Sequence, residues 1–344
     1  MAEDASRPAS RKATSRLIYG TRDGLRHGRV RTALENAAAC GIDRSLGGLG
    51  VARPVVLVSG FWRSGTTWLQ ESLAEALQAK TVFEPLSPME PRRRGAMLAI
   101  HPNDSEDVRQ ATIPGPVPQG DAFWTYLDRT ATGRIATSYL MSCRRDVAES
   151  MRPVVVLKDV RLQANLGGYR ERCRTPVVHI RRHPGAVVSS LMTADWHWSF
   201  ARAPLAVVLP RLGTALPAEQ HEAALRFDTD ALSRIVTFWA VTERIAAAAL
   251  AAQSWGAVIR YEDFASDPAA TLAGLCGRLG LVPRRTVDFS RPSATVHPDV
   301  FAAQAMPPRD RWRGVLSEAE ADRVLTIANT LYPEWRQAGA DDAP

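Results

Sequence analysis

Lysine is nearly absent from this chain of 344 residues: Lys12, Lys80 and Lys158 stand against 40 arginines. A lysine in the interior of such a chain carries more information than usual. Cysteine is also scarce. Cys40, Cys143, Cys173 and Cys276 are isolated, with no Cys-x2-Cys spacing. Neither a zinc site nor a disulfide framework follows, and a reducing, cytoplasmic setting suits four lone thiols. Long apolar runs are missing too. The most apolar windows are short, or Ala-rich and broken by charge as at 244–255. No transmembrane segment is expected, and the polar N-terminus has no apolar run behind it of the signal-peptide kind. The formal net charge of +7 points to anionic ligands or surfaces. The arginines are scattered and no basic motif is interleaved with aromatics, so nucleic acid is not the expected partner.

Residues 54–77, PVVLVSGFWRSGTTWLQESLAEAL, read as a strand, a phosphate-gripping loop and a helix. Val55–Val58 is apolar at every position, as in a strand buried on both faces. Gly60 and Gly65 bracket a tight turn, and Leu69, Leu73, Ala76 and Leu77 space out a helix face. Such a turn aims free backbone N–H groups and a helix dipole at one point, which suits a phosphate or sulfate group. The glycine spacing is that of a Walker A loop, but Thr66 stands where its lysine belongs. The cation lies inside the loop instead, at Arg63. No apolar strand ending in a Walker-B type aspartate stands out. A kinase leans on Lys and Mg²⁺ to neutralise the transferred phosphoryl group. A sulfuryl group carries less charge, and fixed donors with one or two basic side chains suffice for it.

The run Arg63-Ser64-Gly65-Thr66-Thr67-Trp68-Leu69 resembles the 5′-phosphosulfate loop of sulfotransferases that use 3′-phosphoadenosine 5′-phosphosulfate (PAPS). Arg63 in place of lysine is more like the carbohydrate and bacterial branches than the cytosolic aryl branch. The resemblance covers about residues 54–335, with weak stretches at 88–150 and 195–255. It implies PAPS as co-substrate, no metal, and an acceptor hydroxyl on a small molecule or glycan.

Further motifs follow in the family's order. Lys158 ends the apolar run 153–157, and a lysine so placed approaches the transferred sulfuryl group in the family. The plainer reading is a strand-end lysine in solvent. The cytosolic branch has a histidine base two residues beyond that lysine, where this chain has Val160. Glu84 is the candidate base instead. Phe83-Glu84-Pro85-Leu86 and Lys158-Asp159-Val160-Arg161-Leu162 both resemble the carbohydrate 6-O-sulfotransferases. A carboxylate partly buried at a strand end, its pKa raised, would take the acceptor's proton. Asp159, His101 and His197 are lesser candidates.

Arg182 and Ser190 bridge the end of strand 176–180 and the first turns of the next helix. A guanidinium and a hydroxyl so placed clamp a phosphate monoester. Arg-x7-Ser resembles the family's 3′-phosphate element. Arg181 with Ser189 satisfies the same spacing, and Pro184 favours the Arg182 register. By the same resemblance Trp68 stacks on adenine, Tyr261 lies near its edge, and Arg313 in Trp312-Arg313-Gly314 adds a 3′-phosphate contact.

Strands alternating with helices predict a single α/β domain with a mostly parallel, P-loop-like sheet. Residues 1–14 read as a disordered tail and 15–50 as a helical segment, basic and amphipathic over 17–39. That helix either packs on the domain or meets an anionic lipid surface. The catalytic domain spans 51–336 and a loose tail 337–344. Segment 91–120 reads as a long loop or lid, and 196–234 as the stretch that closes over the substrate. The acceptor's identity and the oligomeric state are not readable.

Overall fold

A computed structural model describes residues 25–90, 101, 103–193, 199–251, 253–290 and 311–336. Five strands form one sheet: β1 (Val55–Gly60), β2 (Ala79–Phe83), β3 (Val154–Lys158), β4 (Val177–Arg181) and β5 (Gly256–Arg260). Their order is β2-β3-β1-β4-β5, and every pairing is parallel. A parallel sheet needs a crossover between paired strands and cover on both faces, hence the unbroken apolar runs. Alternate residues of each strand go to opposite layers. Leu57, Val155, Leu157 and Val177 pack with Phe123, Trp124, Leu166 and Leu250. Val56, Val58, Val156 and Val178 pack with Leu69, Leu73, Leu272 and Leu275. The chain is therefore an α/β protein built on a P-loop-like parallel sheet.

β1 lies at the centre. The chain leaves it on one side, for β2, and crosses back from β3 to β4 on the other. Open α/β sheets bind ligands at the strand C-termini, where the connections part in this way. The loop after Gly60, Lys158 and Arg182 all come from this edge.

Several elements differ from the sequence reading. Helical periodicity over 121–151 gives a helix only at Ala122–Ala131, capped by Asp121; turns and a 3₁₀ segment, Val147–Met151, complete it. Gly133, at φ 84°, ends the helical path. β5 stops at Arg260, and Tyr261 opens a helix, Tyr261–Ser266. The first helix is Leu25–Gly48, running further than 39, and buries Ala39, Cys40 and Asp43 against the domain. Asp267 caps Pro268–Arg278, and Ser317 with Glu320 forms a capping box on Glu318–Leu331, as the sequence spacing indicates.

The described parts of segments 91–120 and 196–234 are tied together by hydrogen bonds. Asp104 binds Arg211 through both oxygens, at 2.6 and 2.7 Å. Asp107 accepts from Ser199 and Arg202, and Gly115 N–H donates to the Arg211 carbonyl. Segment 103–120 holds a helix, Glu106–Ala111, capped by Ser105. His197 and the aromatics Trp196 and Trp198 lie outside the described residues, as do the tails 1–14 and 337–344.

No helix among the described residues is long and apolar enough to cross a membrane.

Candidate active site

The loop after β1 turns through two left-handed residues, Arg63 (φ 63°) and Gly65 (φ 88°), before the helix Thr66–Leu77. A Cβ on Gly65 would stand 2.6 Å from Tyr261 Cδ2, so the Tyr261 ring closes on the loop. Only glycine fits there. Arg63 has no such excuse, and its conformation costs roughly 1–3 kcal/mol. Two contacts hold it. Arg182 Nη1 donates to the Arg63 carbonyl at 2.8 Å, and Arg63 Nε donates to Ser190 Oγ at 3.1 Å.

These bonds join two motifs more than a hundred residues apart in sequence. They also place two guanidiniums side by side. Burial, and then the charge of Arg182, lower the Arg63 pKa to about 10. Crowded cations in a partly dry place are relieved by an anion. Arg182 lies over the Tyr261 ring at 4.3 Å. At the loop's centre Ser64 Oγ is buried with no hydrogen-bond partner among the described residues. An orphaned hydroxyl beside two arginines suits a ligand oxyanion. Thr66 and Thr67 form the buried first turn of the helix. Trp68 packs on Phe264 at 4.3 Å and lies 6.2 Å from Tyr261; it is half-buried.

Sequence reasoning missed what supports the loop. His179 sits between Ser59 Oγ (3.3 Å) and Glu243 Oε2 (3.0 Å), and Glu243 Oε1 accepts from Phe61 N–H. The helix Ala231–Leu250 thus anchors the loop's first residue from below. No motif spacing marks that glutamate.

The second cluster adjoins the first. Val58 is the β-pair partner of Lys158, two residues before the loop. Lys158 forms an ion pair with Glu84, and its ammonium lies 4.3 Å from the Phe83 ring centroid. At 3% exposure it is not the solvated strand-end lysine of the plainer reading. Glu84 follows β2 at φ 39°, its N–H donating to the Lys158 carbonyl at 2.7 Å. Arg161, unassigned by the sequence, reaches Glu84 Oε2 from Nη1 at 3.5 Å. One expectation is corrected here. Burial pushes the Glu84 carboxyl up, but Lys158 and Arg161 outweigh it and hold the pKa below the ordinary range. Glu84 is an ionised carboxylate in this site.

Asp159 also changes meaning. It stands at the end of the strand beside β1, where a Walker-B aspartate would stand. The sequence reading found no such strand because Lys158 interrupts the pattern. Its oxygens are occupied, Oδ2 by Leu86 N–H at 2.7 Å and Oδ1 by Arg161 N–H at 2.8 Å. Burial raises its pKa to about 6. It braces the Glu84 turn rather than facing the loop. His101 is exposed on the 101–104 turn.

Arg181 ends β4 and Arg182 follows it, and their side chains diverge. Arg181 is buried and donates to Tyr332 Oη at 2.7 Å. Arg182 turns to the loop. His183 stacks on Trp312 at 4.7 Å and meets the Trp335 edge at 5.0 Å. Arg313 covers the Trp312 ring at 4.6 Å. His183 Nδ1 accepts from Gly185 N–H, which needs the neutral ring. Burial, then Arg313, Arg336, Arg260 and Arg182, push its pKa down to about 4. The unfolded ring takes a proton near 6.5 and the folded one only near 4, so the shift destabilises the fold as pH falls through that window. Urea midpoints should fall from pH 6.5 to 4, and His183→Gln should flatten that part of the decline. An equal slope in the variant would show that His183 does not contribute.

No group of three or more His, Cys, Asp or Glu among the described residues is disposed to hold a metal ion. The fold and loop define a class, an α/β chain with a P-loop-like turn at the C-terminal edge of its sheet. No protein-family model matches the chain, and no curated protein does either. Several solved structures are similar to it. One is a sulfotransferase domain from the curacin biosynthetic pathway: 17% identity, TM-score 0.42, covering 82% of this chain and 98% of that one. A second is a sulfotransferase from Alicyclobacillus acidocaldarius: 19% identity, TM-score 0.35, covering 83% and 100%. A third is a mouse sulfotransferase complexed with PAP: 11% identity, TM-score 0.35, covering 87% and 90%.

Proposed function

We propose that this chain is a PAPS-dependent O-sulfotransferase. The reading rests first on one observation: the loop after β1 and the element after β4 meet at Arg63, Arg182 and Ser190. A nucleotide with phosphate at both 3′ and 5′ positions asks for two anion sites that close together. A kinase asks for a Walker lysine and a metal-facing aspartate. Here Thr66 replaces the lysine, and Asp159 spends its oxygens on backbone N–H groups.

In this reading Arg63, Ser64, Gly65, Thr66 and Thr67 take the phosphosulfate. Arg182, Ser190 and Arg313 take the 3′-phosphate, and Trp68 and Tyr261 flank the adenine. The acceptor hydroxyl attacks sulfur in line. A new S–O bond forms, the S–O bond to the 5′-phosphate breaks, and the hydroxyl proton passes to Glu84. The products are a sulfate ester and 3′-phosphoadenosine 5′-phosphate (PAP). Lys158 and Arg63 stabilise charge on the sulfuryl and bridging oxygens. Positioning supplies much of the rest. The acceptor we favour is a sugar hydroxyl, on a glycan, glycolipid or glycosylated natural product.

Calorimetric titration of PAP against ATP–Mg²⁺, on wild type and Arg182→Ala, tests the reading. PAP is expected to bind and ATP–Mg²⁺ not to. Arg182→Ala should weaken PAP by roughly ten- to a hundredfold, the worth of a charge-assisted pair. Preference for ATP–Mg²⁺ would return the chain to the kinases. PAP binding without turnover on any hydroxyl acceptor would leave a nucleotide-binding protein.

A further inference from the structure

Glu84 has two buried cationic partners, and they differ in what else they touch. The Lys158 ammonium touches Glu84 and the Phe83 ring, from a buried strand end whose β-pair partner, Val58, lies two residues before the loop. Arg161 is built in. It is 2% exposed, its guanidinium lies 4.8 Å over the Trp62 ring of the loop, and Nη2 donates to the Gln110 carbonyl at 3.0 Å. Gln110 lies on the lid helix Glu106–Ala111, which Asp107 ties to the closing segment. Asp159 holds Arg161 N–H and Leu86 N–H on its two oxygens, locking the turn that carries Glu84 to the turn that carries Arg161.

A base must be ionised to accept a proton, and a buried carboxylate without a partner takes up its own. When an anion draws Lys158 toward the loop, one partner of Glu84 is lost. We propose that Arg161 is the permanent partner of Glu84, a positioning residue that holds the carboxylate ionised and aimed while Lys158 serves the anion. Its stacking on Trp62 and its bond to Gln110 make that hold conditional on a formed loop and a seated 106–111 helix. This assignment rests on the sulfotransferase reading for its purpose, but the pairing itself does not.

The other titratable groups facing Glu84 are Asp159, Tyr139 and Cys143, all of which feel its charge. Asp159 opposes ionisation of Glu84, and burial raises Tyr139 and Cys143 so that both stay neutral near pH 7. Lys158 and Arg161 are the cations that act on it.

The test follows the Glu84 carboxyl directly, by carbon-13 NMR of protein labelled at the glutamate side-chain carboxyl, with the signal identified by Glu84→Gln. In wild type the midpoint lies below the ordinary glutamate range. In Lys158→Met it should stay at or below that range, because Arg161 remains. In Arg161→Gln it should rise by roughly one pH unit or more. Saturating PAP should leave Glu84 ionised at pH 7 in wild type. Arg161→Lys should recover part of the shift. A midpoint carried well above the ordinary range by Lys158→Met overturns the proposal, even if Arg161→Gln does not fold. So does an unchanged midpoint in a folded Arg161→Gln. PAP calorimetry on the same wild-type sample separates the two ideas: absent PAP binding sinks the sulfotransferase reading and leaves the Glu84 titration standing.

Discussion

Glu84→Gln is expected to lower kcat by about 10²–10⁴-fold, the usual worth of a positioned general base. PAP affinity should change little, because Glu84 lies outside the loop and the Arg182–Ser190 element. Lys158→Met should also lower kcat, with an effect on PAP affinity too, since in the proposed function its charge serves the anion. The amide that Glu84→Gln introduces leaves Lys158 and Arg161 facing a neutral group, so a melting curve must accompany the rates. The pH profile gives an independent check. Glu84 is held below the ordinary range by Lys158 and Arg161 against the push of burial. Its basic form therefore persists as pH falls below the ordinary glutamate range. Wild-type kcat/KM should show no loss from Glu84 between pH 7 and 5. A Glu84→Gln enzyme with more than about a tenth of wild-type kcat would remove Glu84 as the base.

Asp43→Ala should be the most destabilising single change in the N-terminal segment. Asp43 is 1% exposed and accepts from Arg53 Nη1 at 2.7 Å and from Lys80 Nζ at 2.6 Å. It ties the first helix to β2, and Arg53 continues to the Ser150 carbonyl at 2.8 Å. Truncation leaves two buried cations without their shared carboxylate, which costs on the order of 3–5 kcal/mol. Lys80 reaches both Asp43 oxygens, and burial lowers its pKa against the pull of that carboxylate. Guanidinium denaturation should show the loss. A double variant, Asp43→Leu with Lys80→Met, should recover part of it, since an apolar set avoids the desolvation penalty. A single-variant loss under about 1 kcal/mol would show that the Arg53–Asp43–Lys80 set is not what docks the first helix.

The second strand shows how far sequence reasoning reaches. Thr81, Val82 and Phe83 mark it, yet nothing local says that Glu84 leaves it in a left-handed conformation. That turn is imposed by the Lys158 carbonyl, by Asp159 on Leu86 N–H, and by Tyr126 Oη on the Pro85 carbonyl. The Glu84 pKa went astray for the same reason. Strand-end burial is legible, and it does push the carboxyl up. The two cations that reverse the outcome come from β3 and the turn after it, 74 and 77 residues away. Apolar spacing over 121–151 resumes after the break at Gly133, yet Ile135 and Leu140 reach the same layer from turns and not from a helix.

By itself, the sequence determined the sheet and the loop. Unbroken β-branched runs allow only strands buried on both faces, and two glycines around Arg63 allow only a turn that exposes its N–H groups. Capping residues settled two helices, because those signals act within one turn. The tertiary structure decided which charges meet. It set Arg182 on the Arg63 carbonyl, turned Arg181 away to Tyr332, closed Tyr261 on Gly65, and gave Glu84 a second cation in Arg161. Local signals fix backbone form, because steric and hydrogen-bonding preferences act over a few residues. Electrostatics acts through space, and the charges beside a given carboxylate are known only once the chain has folded.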